Sequence, residues 1–275
     1  MDVRKILIIL IVVICIFALG YGVYYQVFKR NEPDISTKNN VGVTTDTDTI
    51  ELDEIFDNKI NYQGYNVNNQ IKIDQTKDLV YTNYTKTEIF EEKYDIKANI
   101  PIININSEKI ANINKEINSI FQEKVSSIEA NKTSSVVAPT IYTVDYTAYL
   151  NENILSIVIR STLKEGNNAQ RLIIMAYTYN LSTNELIPLT NMLTIKGKEA
   201  QTVQQEIRKE IRQSISQTDN LAALGYTVYE RDMTNAMYDV ENSNSYLLGP
   251  NGTIYIIYAY GNTSYTSEKD IVVIK

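Results

Sequence analysis

The chain has 275 residues, 26 Lys+Arg against 33 Asp+Glu for a formal charge of −7, no His, no Trp and one Cys. Without His there is no Ser-His-Asp triad, no Cys-His pair and no His-ligated metal centre, and one Cys makes no disulfide framework. The acidic balance argues against wrapping nucleic acid, which draws on phosphate neutralisation by Lys and Arg, while 44% hydrophobic residues are ordinary for a chain with a packed core.

Ile6 to Leu19 reads ILIILIVVICIFAL, fourteen apolar residues without a charge, and a weaker aromatic extension runs to Phe28. Taken to Tyr25 the stretch is about twenty residues, enough to span a bilayer's hydrocarbon core. Arg4 and Lys5 precede it, Lys29 and Arg30 follow it, and Tyr21, Tyr24 and Tyr25 suit an interfacial belt. Residues 1–5 then form a cytoplasmic stub and residues 6–28 a transmembrane signal anchor, with the rest of the chain extracytoplasmic. Ala18-Leu19-Gly20 also fits a cleaved secretory signal; the tyrosines and the basic pair behind them favour the anchor. Cys15 follows Ile14, where a lipid-attachment site needs a small residue, so it reads as one more apolar residue of the span.

Beyond residue 30 the loss of Arg4, Lys5, Lys29, Arg30 and Asp2 leaves 22 basic against 32 acidic residues, a charge of −10. A charged partner of that part is therefore expected to be cationic, with salt-sensitive steering. Abundant Asn and Ile, with 21 Tyr, point to AT-rich codons and a Gram-positive host.

Residues 29–80 read as a linker or stalk, mostly disordered, since they are rich in Asn, Asp and Thr with few large apolars. Asp46-Thr47-Asp48 lacks the third ligand and the Gly of a calcium loop. Residues 82–103 are extended and end in Asn99-Ile100-Pro101. A helix follows, capped by Asn106 or Ser107, with Ile110, Ile113, Ile117, Ile120, Phe121, Val125 and Ile128 on one face. Three strands then alternate, Ile141 to Leu150, Ile154 to Leu163 and Ala169 to Tyr179, with turns at 151–153 and 165–168. After a turn at 181–184, a second helix follows Gly197 with Val203, Ile207, Ile211 and Ile215 on one face. Tyr246 to Tyr258 is a hairpin around Gly249-Pro250-Asn251-Gly252, and Ile271 to Ile274 is a last strand. The expected fold class is α+β, antiparallel sheets each packed by one helix, in two related subdomains at 81–193 and 194–275.

Tyr94-Asp95-Ile96, Ile100-Pro101 and Ile113-Asn114-Lys115-Glu116-Ile117 resemble the first half of a bacterial extracytoplasmic module. Asn184 to Leu193 (NELIPLTNML), the helix after Gly197 and Tyr246 to Gly252 (YLLGPNG) resemble its second half. The pair is similar to the exterior part of RsiV-type anti-sigma factors and to the non-catalytic module of PdaC-type peptidoglycan deacetylases, a domain-of-unknown-function family. The resemblance covers about residues 81–275 and implies a binding module at the cell envelope, with lysozyme, a cationic protein, as the ligand of RsiV-type exteriors. A sigma-binding domain has no counterpart before residue 6, and the deacetylase zinc site has none in a chain without His. No catalytic, cofactor or metal residue carries over.

Ser161-Thr162-Leu163-Lys164 spells the S-x-x-K of penicillin-recognising enzymes, but at a strand end rather than a helix start and with no K-T-G behind it. An envelope glycan hydrolase using a carboxylate pair is the enzymatic alternative, and a structural partner of a membrane complex a further one. Tyrosines stud the predicted strands and offer flat area with a polar tip. Tyr255, Tyr258, Tyr260 and Tyr265 on and after the last hairpin are the candidate ligand face, for a cationic protein such as lysozyme or for a cell-wall glycan. An acidic groove lined by tyrosines would favour glycan, a flat acidic face a basic protein, and a closed pocket with a buried acid pair an enzyme.

Overall fold

The computed structural model describes residues 52–57, 69–131, 138–249, 252–262 and 266–275, all within one compact unit, Asp48–Lys275. The Ile6 to Tyr25 span, Cys15, most of the stalk and Tyr265 lie outside the described residues. Among the described residues no helix is long and apolar enough to cross a membrane.

Strands β1 (Val80–Phe90) and β2 (Tyr94–Ile103) form a hairpin through a turn where Glu91 takes φ 47°, so the long extended stretch folds back on itself. Helices α2 (Glu108–Ile117) and α3 (Glu123–Ala130) follow, joined by a π turn at Asn118–Gln122. Then come β3 (Thr140–Asn151), β4 (Ile154–Glu165), β5 (Arg171–Asn180) and the short β6 (Glu185–Leu186). They make one six-stranded sheet in chain order. It is not wholly antiparallel: β2 and β3 are parallel, with Tyr94 opposite Thr140 and Ala98 opposite Val144. The helical crossover carries the chain back to the end where β2 began, and β3 must then run in the same direction.

The second half packs α4 (Leu189–Ile195) and the long α5 (Ala200–Ala223) on a three-stranded antiparallel sheet of β7 (Tyr246–Leu248), β8 (Ile254–Ala259) and β9 (Lys269–Ile274). Three cores order these elements into layers. The first lies between α2–α3 and the large sheet, with Ile110, Ile117 and Phe121 against Ile96, Tyr142 and Ile159. The second lies between α5 and the small sheet, with Val203, Ile207 and Ile211 against Ile256, Tyr258 and Val272. The third lies between the sheets, where Val158, Leu172 and Ile174 meet Leu247, Tyr255 and Ile257. The arrangement is helix, sheet, sheet, helix, and the small sheet is therefore covered on both faces.

Two expectations shift. Ile187, Leu189, Met192 and Leu193 belong to the second core, so α4 joins the later half and the seam falls before Ile187 rather than at 193. The stalk is not featureless to residue 80 either: α1 (Leu52–Asp57) buries Leu52, Ile55 and Phe56 in the third core. Arg160 sits 4.3 Å from the Phe56 ring and pairs with Asp53, and the Tyr149 hydroxyl donates to the Ile55 carbonyl.

Candidate functional site

The tyrosines expected to face a ligand are mostly core residues. Tyr255, Tyr258 and Tyr260 are 8%, 4% and 0% exposed. Alternation along β8 sends Tyr255 into the third core and Tyr258 into the second, and both sides of this strand are covered. The hydroxyls of Tyr258 and Tyr260 find partners inside. Tyr258 lies 2.8 Å from Ser243 Oγ, and Tyr238 donates to Tyr260 at 3.0 Å. Burial pushes Tyr258 up to about 12, against the lowering hydrogen bond of Ser243.

The charged cluster of the fold sits in the same core. Asp270 shares the inward row of β9 with Val272 and Ile274. Arg231, in the long connection after α5, meets it with two bonds: Nε donates to Oδ2 at 2.8 Å and Nη2 to Oδ1 at 3.2 Å. Nη1 donates to Glu268 Oε2 at 3.0 Å and to the Tyr229 carbonyl at 3.1 Å. The Tyr260 hydroxyl donates to Asp270, its ring lies 4.7 Å from the guanidinium, and Tyr229 stacks on it at 4.1 Å. Burial opposes the Arg231 charge, but Asp270, Tyr260 and Glu268 together outweigh it and raise its pKa; burial and then Asp270 hold Tyr260 protonated far above the ordinary phenol range. Of the two acids only Asp270 is buried and Glu268 is partly exposed; Arg231 stands between them, and neither lines the cavities described below. The cluster clamps the 224–245 connection to the sheet.

Concave surface lies elsewhere. A smaller cavity of about 290 Å³ at the start of α5 is lined by Lys198, Glu199, Thr202 and Lys275, and Lys198 Nζ donates to the Lys275 carbonyl. A larger groove of about 580 Å³ opens where four turns meet. The β3–β4 turn supplies Asn151, Glu152, Asn153 and Ile154; the end of β5 supplies Asn180; the end of α4 supplies Ile195 and Lys196; Gly252 comes from the β7–β8 turn. Asn151 Nδ2 donates to the carbonyls of Leu248 (3.1 Å) and Gly249 (3.2 Å), tying the first sheet to the second. Asn153 Nδ2 donates to Asn180 Oδ1 at 3.0 Å and to Ser182 Oγ at 2.9 Å. Gly252 takes φ +75°, and a Cβ there would come within 3.1 Å of Lys196 Nζ, so glycine leaves the lysine its place. None of these residues stood among the candidate ligand face; in the sequence they read only as turn chemistry. Among the described residues no group of three or more His, Cys, Asp or Glu is arranged to hold a metal ion.

No family model matches the chain. No curated protein matches it either. Solved structures similar to it include two proteins of one family. One is a DUF3298 family protein of Pseudomonas aeruginosa PAO1, with 11% identity, a TM-score of 0.39, and 70% of this chain and 87% of that one covered. The other, a member of the same family from Bacteroides fragilis NCTC 9343, has 11% identity, a TM-score of 0.33, and 66% and 80% coverage. The structural neighbours are thus proteins of a domain-of-unknown-function family.

Proposed function

We infer that the chain is a membrane-anchored binding protein of the bacterial envelope, with Asp48–Lys275 held outside the membrane to take a ligand without turning it over. The anchor rests on the uncharged Ile6 to Leu19 run with Arg4, Lys5, Lys29 and Arg30 on either side of it, and the outer placement on the resemblance of residues 81–275 to an extracytoplasmic module. The observation that carries the binding role is the division of polar groups between core and surface. The buried Arg231 and Asp270, with the partly exposed Glu268, are consumed by one another, whereas the larger groove presents side-chain amides already held in place by the fold. Groups fixed in one orientation and open to solvent suit recognition. Catalysis by a carboxylate pair needs two acids flanking a substrate, and the groove has Glu152 alone. The RsiV-like resemblance supports a cationic protein such as lysozyme as the sharper ligand, and the acidic excess beyond residue 30 is compatible with it.

Calorimetric titration of the full chain in detergent with lysozyme, at low and at physiological salt, tests this form. Micromolar or tighter binding that persists at physiological salt supports a lysozyme receptor or inhibitor. Heat that vanishes with salt is unspecific attraction to an acidic surface and removes lysozyme from the proposal.

A further inference from the structure

We propose that the groove between the β3–β4 turn, the end of β5, the end of α4 and the β7–β8 turn is a binding site for a neutral, hydroxyl-rich oligosaccharide. This rests on the reading of the chain as an envelope binding protein, and it names the site and the ligand class. The argument starts from the amides. Asn180 Oδ1 accepts from the backbone N–H groups of Ser182 (2.8 Å) and Thr183 (3.2 Å) as well as from Asn153 Nδ2. Three donors on one oxygen fix which way this amide faces, and its Nδ2 is left with no partner among the described residues. Asn153 and Asn151 each spend Nδ2 on two protein acceptors, which leaves both Oδ1 atoms without a partner among the described residues. The groove therefore offers one fixed donor and two fixed acceptors on residues whose side chains the fold already holds.

Sugar hydroxyls both donate and accept, and a fixed mixture of the two from side-chain amides matches a ring carrying neighbouring hydroxyls. The half-exposed Ile195 supplies apolar surface for the C–H face of such a ring. Lys196 and Glu152 bring one charge of each sign, so the site has no net charge to select an anion or a cation. That sets it apart from the acidic excess that would attract a basic protein. A volume of about 580 Å³ falls among small-ligand clefts, roughly 300–1,000 Å³. Preorganised amides lose little freedom on binding, and a weak ligand profits most from that.

The test titrates the full chain in detergent with a chitin tetrasaccharide and, separately, with a cellulose tetrasaccharide that lacks the acetamido groups. Binding of either supports the proposal; binding of the first alone makes the ligand an N-acetylated wall-type sugar. Asn180→Asp keeps an oxygen for Ser182, Thr183 and Asn153 while removing the free donor, and should weaken binding roughly tenfold. Lys196→Ala, at an exposed position whose side chain lies outside the cores, should weaken it with little effect on stability. Sugar binding unchanged in both variants overturns the site. Absence of sugar binding, together with lysozyme binding that Asn180→Asp leaves intact, overturns the glycan proposal while sparing the wider one. Absence of both ligands removes the wider reading as well.

Discussion

Replacing Arg231 with Met is the most demanding test of the second core. The Arg231 side chain is 3% exposed and that of Asp270 6%. Methionine retains much of the aliphatic stem but takes away both bonds to Asp270, the bond to Glu268 and the bond to the Tyr229 carbonyl. Asp270 is then a buried carboxylate with the Tyr260 hydroxyl as its remaining side-chain donor. Removing one partner of a buried ion pair costs about 3–5 kcal/mol, because the other charge stays desolvated. For a unit of this size that corresponds to a fall in Tm of roughly 6–20 °C. Arg231→Met with Asp270→Asn removes the orphaned charge and leaves an acceptor for Tyr260, and should recover at least half of the loss. Urea unfolding followed by tyrosine fluorescence reads both variants, since the chain has 21 Tyr and no Trp. A single variant that loses less than about 1 kcal/mol, or a double variant no more stable than the single, would refute the clamp.

A Cβ at Gly261 would lie 1.9 Å from the Leu172 carbonyl oxygen, and the obstacle is backbone. Gly261→Ala should thus cost about 3 kcal/mol or more in the same unfolding assay, and a neutral variant would mean that β5 and the β8–β9 connection do not meet as described. Phe56→Ala should cost at most about 3 kcal/mol, because α1 can peel away instead of leaving a cavity. Hydrogen exchange should then lose protection in α1 and keep it in β4; uniform loss would make α1 integral rather than peripheral. Burial raises the pKa of Tyr142, Tyr246, Tyr258 and Tyr260. A raised folded value means stability that is complete below the unfolded phenol's value, near 10, and is lost as pH climbs toward the folded one. For Tyr258 that window runs from about 10 to about 12 and amounts to roughly 2–3 kcal/mol. Phenolate absorbance should therefore rise in two phases, exposed tyrosines first and buried ones together with unfolding; a single phase near pH 10 would contradict the burial.

Elements whose identity depends on local periodicity are legible in the sequence. Strands β3, β4 and β5 and the inward face of α5 fall close to their expected places. On α2–α3 the pattern holds at Ile110, Ile113, Ile117, Phe121, Val125 and Ile128, but Ile120 is 37% exposed. The π turn at Asn118–Gln122 adds a residue to the turn and resets the phase there, which an apolar spacing of three and four cannot announce. Alternation likewise says nothing of a neighbour's direction, so the parallel β2–β3 pair was not legible. Helix α1 has six residues, two of them acidic in the first turn, and depends on its tertiary contacts. Tyr255, Tyr258 and Tyr260 misled because tyrosine suits a core and a surface equally, and β8 has no open face to choose. Nothing in the sequence marks Asp270, a carboxylate beside Lys269, yet it sits on an inward row.

The groove was hidden for a different reason. Its residues come from four separate turns, more than a hundred positions apart from Asn151 to Gly252, and no spacing rule joins them. What local chemistry does convey is that Asn180 suits a turn, because its side-chain oxygen can accept from the backbone two and three residues on. Those bonds do more than shape the turn. By occupying Oδ1 they orient Nδ2, and the Asn153 amide, anchored on the same oxygen, is oriented in its turn. One interaction thus explains both why asparagine stands there and which of its atoms remains to meet a ligand. Alanine at 180 would disturb the turn and the groove together, whereas aspartate keeps the turn's acceptor and replaces the free donor with a charged oxygen. Loss of sugar affinity on Asn180→Asp at unchanged stability is the quantity that separates a recognition site from a well-made turn.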